Sequence, residues 1–362
     1  SITDSGTTEN DVTADELRIV ATGTADGNGA GDGTNHLEIS INTLAANIDG
    51  TGTGGLFLTE ATGITIGTLN NIAITRMAAD TTTSTITDTG FSDLDSAGHL
   101  VLVTTAGAIT VNEGDADDTG IIAAGNVLLQ AGGSTFDITL NADLTSTGGS
   151  ISLNAGQDVL QNADIDTGTA ARTIDLVAAR HITMANGTIT TTTSDADSNI
   201  LLAAATGDIT IETLSAGAGS VSVTATAGDI LDQDADGDVA VDITSAGLLL
   251  KAGSGIGAGA DHIEATVTTL TANAGADGVF ITETNGLTVD TLTINVNRVA
   301  STGVASATSN AAQEDMTTSA NGHIVLVSTT GDLTISALTR LPDLWPTPSE
   351  TAAATVQEVV GT

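Results

Sequence analysis

His36-Leu37-Glu38-Ile39-Ser40-Ile41-Asn42-Thr43-Leu44-Ala45-Ala46-Asn47 returns, at an offset of 226, as His262-Ile263-Glu264-Ala265-Thr266-Val267-Thr268-Thr269-Leu270-Thr271-Ala272-Asn273. Two more pairs keep the correspondence going: Leu58–Ile66 with Ile281–Val289 at an offset of 223, and Gly98–Val103 with Gly322–Val327 at 224. A unit of about 224 residues is thus present about 1.6 times, as 1–225 and 226–337. Self-similarity on this scale marks an array of stacked units rather than a domain built around one site.

Within the unit runs a shorter rhythm. Alternating stretches such as Gly207-Asp208-Ile209-Thr210-Ile211 and Ser220-Val221-Ser222-Val223-Thr224 recur about every 10 to 13 residues. Each is introduced by Gly, Asp, Asn or Ser, the signal of a short strand and its turn. Two such strands make a coil of about 22 residues. The successive starts Val127, Ile151, Ile174, Ile200, Val221, Leu248 and Leu270 are spaced by 24, 23, 26, 21, 27 and 22. Immunoglobulin-like sandwiches would repeat near 100 residues and usually carry a buried Trp or Tyr. Here the strong period is near 224 and Tyr is absent, so an all-β solenoid is expected.

Composition agrees. Hydrophobic residues are 40% of the chain but aromatics only 1%, so a core must be aliphatic and narrow. Aromatic side chains supply much of the buried area of ordinary cores. Phe57 and Phe280, at equivalent places, are read as core packing. The charge of −38 excludes nucleic acid as a partner, since phosphate binding needs clustered Lys and Arg. It also repels anionic membranes and calls for counter-ions; calcium is the first expected. Cysteine is absent, which leaves the redox compartment unread. No apolar run is long enough for a transmembrane helix, so no membrane insertion is expected. The start at Ser1, partway through a repeat and without a signal-like segment, is read as that of a piece of a longer protein.

Two stretches break the rhythm at equivalent positions, 78–97 and 300–321, entered after Arg76 and Arg298. They are expected to leave the rod laterally, as binding loops or as tolerated insertions. After Ala337 the pattern stops, and 338–362 holds all three prolines and the single Trp. Proline removes ladder donors, so this segment is read as a linker or cap.

The sharpest local motif is Asp232-Gln233-Asp234-Ala235-Asp236-Gly237-Asp238. Oxygen ligands on alternate residues with Gly in the sixth place match the first half of a calcium loop. Asp232, Asp234, Asp236 and Asp238 are therefore the candidate Ca2+ ligands, against the alternative of a solvated acidic turn. Position twelve is Ile243 where such a loop has Glu. Glu113, Asp115, Asp117 and Asp118 form a looser cluster. His36 pairs with His262 and His99 with His323 across the repeat, but no second His or Cys lies at ligand spacing, so these are read as satisfied turn histidines. Carboxylate-pair glycoside chemistry finds little support with seven basic residues and four Phe. The chain is not expected to be an enzyme.

Gly253-Ser254-Gly255-Ile256-Gly257-Ala258-Gly259-Ala260-Asp261-His262-Ile263-Glu264 and Gly149-Ser150-Ile151-Ser152-Leu153-Asn154-Ala155-Gly156 resemble the repeats of filamentous-haemagglutinin-like and giant bacterial surface proteins. The resemblance covers most of 11–337. It implies a right-handed parallel β-helix, export to the bacterial cell surface, and adhesive or envelope-building roles, with no catalytic residues. The expectation is an extracellular, self-associating structural protein forming a filament, sheath, surface layer or adhesin stalk. The alternative is an adhesin segment that binds a receptor or glycan through 78–97 and 300–321.

Overall fold

The computed structural model describes residues 1–6, 9–169, 171–234 and 240–336. The segment 338–362, expected as linker or cap, lies outside them. The chain is an all-β parallel β-helix: no helix occurs among the described residues, and parallel pairing joins the coils into one 33-stranded sheet.

Each coil holds three short strands where two were expected. Ile151–Ala155, Val159–Gln161 and Ile165–Thr167 pair with Ile174–Ala178, Ile182–Met184 and Ile189–Thr192 of the next coil. The third strand is too short and too Thr-rich to stand out from the turns in the sequence. The seven spaced starts are true register partners, from Val127 over Ile151 and Ile174 to Leu248 and Leu270. The uneven steps between them are absorbed in the turns, because the parallel ladder fixes only the strands.

Alternation does the rest. In a strand, successive side chains face opposite sides, so Leu102, Leu129, Leu153, Leu176 and Leu202 stack inward as consecutive rungs, all fully buried. The stack, with rungs about 4.8 Å apart, is filled by aliphatic side chains, with Phe136 packed against it. Phe57 lies outside it: it faces outward and packs with Val101, Leu128 and Val299 in a separate cluster. The core reading of Phe57 holds, in this second buried cluster rather than in the inner stack; Phe280 is half-buried at the equivalent place.

The acids find work in the turns. The amide of Asp158 donates to Asp137 Oδ1 at 3.0 Å, that of Asp229 to Asp208 Oδ1 at 2.9 Å, and that of Gly255 to Asp229 Oδ1 at 2.7 Å. Each carboxylate thus caps an N–H one coil further on, which would otherwise lie outside the ladder. The cost is repulsion along the column: burial raises the Asp229 carboxyl, and Asp208 and Asp277 add to the shift.

The long repeat is also a structural one. Leu37 pairs with Leu58, Thr43 with Thr65 and Ala46 with Leu94. In the second copy Ile263 pairs with Ile281, Thr269 with Thr288 and Ala272 with Met316. Thr43–Ile48 in the first copy, and the end of Ile263–Ala274 from Thr269 onward in the second, therefore divide their pairing between two successors. The chain between those successors leaves the coil as an antiparallel hairpin: Ile72–Met77 with Thr83–Asp88, and Asn295–Val299 with Ala305–Ser309. These are the lateral stretches seen in the sequence, shifted to begin before each arginine.

Candidate functional sites: repeated carboxylate triads and a docked hairpin

Asp232 ends an inner-face strand and is 9% exposed. The structure brings it together with Asp242 and Glu264, 2% and 8% exposed, their carboxylate oxygens lying within 4.8 Å of one another. Backbone bonds fix the arrangement. Asp242 Oδ2 accepts from the Glu264 amide at 2.7 Å, and the Asp242 amide donates to the Glu264 carbonyl at 3.0 Å. Asp232 Oδ1 accepts from the Asp234 amide at 3.1 Å, while its Oδ2 is buried and accepts no hydrogen bond. Burial pushes the Asp232 carboxyl up, with the charges of Asp261 and Asp234 adding to it.

The same triad stands in the first copy as Asp4, Asp11 and Glu38. The Glu38 amide donates to Asp11 Oδ2 at 3.1 Å, and the Asp11 amide to the Glu38 carbonyl at 2.6 Å. Gly6 N–H donates to Asp4 Oδ1 at 2.5 Å and holds that carboxyl below its usual range. Asp4 Oδ2 and Glu38 Oε2 are again buried without a hydrogen bond. Burial raises Glu38, and the Asp4 and Asp11 charges raise it further. Three carboxylates held together, with orphan oxygens in both copies, make an all-oxygen donor set suited to a hard divalent cation such as Ca2+ or Mg2+.

Of the four residues singled out in the sequence, Asp232 is in the triad. Asp234 serves it through its backbone, and its side chain accepts from Asn186 Nδ2 at 2.7 Å. Asp236 and Asp238 lie outside the described residues. Asp242 stands at the eleventh place of the loop counted from Asp232, which is not a ligand place in that pattern, and Glu264 lies a coil further on, although Glu38 and Glu264 occupy one position of the long repeat. The looser cluster is a turn: Glu113 Oε1 accepts from the amides of Asp115 and Ala116, and Asp115 and Asp117 approach Asp93 at the surface. Of the four paired histidines, His36, His99 and His262 have hydrogen-bonded rings. His36 and His262 bond Thr59 and Thr282 through Nδ1 at 2.9 and 2.8 Å.

The second hairpin is not a free loop. It lies along the outward face of the rod, running back from Leu250, where Gln313 Nε2 bonds the carbonyl at 2.9 Å, to Asn126, whose Nδ2 bonds the Gly303 carbonyl at 2.9 Å. Between these, Val299 N–H donates to Ser152 Oγ and Asn297 N–H to Thr173 Oγ1. Asn199 Nδ2 donates to the Asn295 carbonyl. The Arg298 guanidinium makes a two-pronged pair with Asp175, at 2.6 and 3.0 Å, and Asp175 is 1% exposed. The dimensions agree: an extended chain from Leu292 to Gly303 spans about 36 Å, and the coils from Phe57 to Leu249 about 34 Å. Gly303 turns with φ 74° beneath which the Phe57 ring sits so close that a Cβ would stand 3.0 Å from it.

No protein-family model, curated protein or solved structure matches the chain.

Proposed function

We propose that the chain is an extracellular structural protein of the bacterial cell surface, an acidic β-solenoid whose copies build a filament, sheath, surface layer or adhesin stalk. The observation that carries this reading is the docked hairpin. An excursion from the second copy runs from Leu250 of its own coils back over those of the first to Asn126 and Phe57, which supplies cohesion along the axis between the two copies. The resemblance to filamentous-haemagglutinin-like repeats rests on repeat pattern and on the parallel β-helix, and the right-handed coil goes with it. Self-association is proposed to run through solenoid ends, since an open strand edge offers unpaired donors and acceptors.

Calcium is the proposed cofactor, with Asp232, Asp242 and Glu264 and their counterparts Asp4, Asp11 and Glu38 as ligands. A cation there would neutralise carboxylates that crowd one another and would satisfy their orphan oxygens. The receptor- or glycan-binding alternative narrows to the first hairpin, because the second is laid against the rod.

Electron microscopy of the native protein with calcium and then with a chelator tests the reading. Continuous filaments that loosen without calcium are the expected result. Isolated rods under both conditions would overturn it in favour of an adhesin segment.

A further inference from the structure

The two hairpins are one device in two states. Position for position they align at a spacing of 222: Arg76 pairs with Ser84 as Arg298 does with Ser306, and Ile74 with Ile86 as Val296 with Thr308. In the second hairpin the residues facing the rod, Ile294, Val296 and Val299, are 1%, 1% and 2% exposed. Their counterparts Ile72, Ile74 and Met77 are 39%, 56% and 70% exposed. Arg76, the counterpart of Arg298, is exposed and makes no ion pair among the described residues. An exposed run of apolar side chains around one arginine is costly to leave in water.

The direction of the strap identifies its seat. The second hairpin leaves the coils near Leu250 and runs toward the N-terminal end. The first leaves the coils at Arg18, whose guanidinium stacks over Phe91 at 5.0 Å, and at Glu16, which accepts from Asn70 Nδ2. By the same geometry it leads off the first coil, beyond the N-terminal end of the rod.

We propose that the first hairpin is a strap for a further copy of this long repeat stacked on the N-terminal end. Met77 enters a pocket like that of Phe57, Val101 and Leu128, and Arg76 pairs with a buried aspartate placed as Asp175. A second copy of the two-hairpin chain abutting through its C-terminal coils does not serve, because its own second hairpin covers that face from Leu250 to Asn126. The seat is the bare face of the coils corresponding to 98–232. One difference bears on the fit: Thr81, with φ 66°, stands where Gly303 does, so a ring placed like that of Phe57 must give way by a few tenths of an ångström. At the far end the matching cradle, His262 and Phe280 with ring centroids 5.9 Å apart, carries no hairpin tip among the described residues and is the place for that of the next strap.

The inference deepens the structural reading, and the two can fail separately, since the strap is read within one chain and filaments between chains. The full chain is extended by placing residues 1–242 ahead of Val12, the register that Ile243 occupies. Met77→Leu in the leading copy leaves the inner Met77 as the reporter. Peroxide oxidation of the inner Met77, read by mass spectrometry, is expected to be at least tenfold slower than in the native chain. Asp175→Asn in the leading copy, or Arg76→Ala in the inner one, restores the fast rate. An inner Met77 that oxidises at the native rate while buried Met184 stays slow, the sign that the coils are folded, overturns the proposal and leaves the hairpin to a partner that is not a repeat.

Discussion

The hairpins that begin at Ile72 and Asn295 share register, loop length and an arginine, yet one lies in water and the other in the rod's side. What differs is what stands next to them. The second finds a face made of outward rungs of the first copy, with Asp175, Ser152 and Thr173 as polar partners. The first lies against no coil face among the described residues. Burial at these positions is therefore a property of the array rather than of the hairpin's own sequence, and a repeat protein's end units are read correctly only against its inner ones.

The sharpest way to break the comparison is a charge in each hairpin. Val299→Asp puts a carboxylate among Phe57, Val101 and Leu128 with no cation placed to pair it, and the docked state should lose about 3–5 kcal/mol. Met77→Asp, at 70% exposure, should stay within about 0.5 kcal/mol. Limited proteolysis near Gly303 and near Thr81 reads both. Equal sensitivity of the two sites before mutation would deny that the second hairpin is held at all.

Calcium extends the same contrast to the triads. With free Ca2+ at about a hundred times the dissociation constant, a site bound only in the folded state adds about 2.7 kcal/mol to stability. The buried triad should respond more than its counterpart, in which Asp11 is exposed. Asp232→Asn with Asp242→Asn should then remove most of the calcium-dependent rise in melting temperature, and Asp4→Asn with Asp11→Asn the smaller part. A rise untouched by either pair would place the ions elsewhere on the acidic surface.

Arg298→Ala comes next. It leaves Asp175 buried without its partner, and since the arginine side chain is itself 45% exposed, the cost should be about 2 kcal/mol rather than the full value for a dry pair. Arg76→Ala should cost nothing measurable in the native chain. Hydrogen exchange at the amides of Val299 and Asn297 separates the two, and Arg298→Lys should recover the charge without the two-pronged geometry.

These contrasts also mark what the sequence could show. Strand stacking was legible because parallel rungs repeat residue types, so Val127 to Leu270 could be read directly from spacing. The third strand was not, since Thr-rich segments such as Ile189–Thr192 carry weak alternation. Asp232 was legible as part of an Asp-rich run; Asp242 stood inside the scanned loop but off its ligand places, and Glu264 reaches the site only through coil stacking, which no local spacing encodes. The docking of the second hairpin was invisible for the same reason: Arg298 and Asp175 lie 123 residues apart, and in isolation both hairpins read as exposed polar loops.

The smallest contrast lies at the hairpin tips and is a matter of protons. His99 Nδ1 accepts from the Asn126 amide at 2.9 Å, so the ring is neutral with its proton on Nε2. Asn126 in turn holds the tip through the Gly303 carbonyl. Burial lowers the His99 pKa below its ordinary 6.5. With the folded value below the unfolded one, the unfolded chain binds more protons in between. Stability from this group is therefore present above about pH 6.5 and lost as the pH falls through that value toward the folded pKa. Protonation sets an N–H against the Asn126 N–H, and the tip should loosen first. Wild-type protein should show faster cleavage near Gly303 at pH 5.5 than at pH 7.5, with no such change near Thr81. His99→Gln, which keeps an acceptor that does not titrate, should flatten the difference. An unchanged slope in that variant would move the effect away from His99, to the carboxylates or to His36, whose Nε2 bonds the Ser301 carbonyl at 2.9 Å.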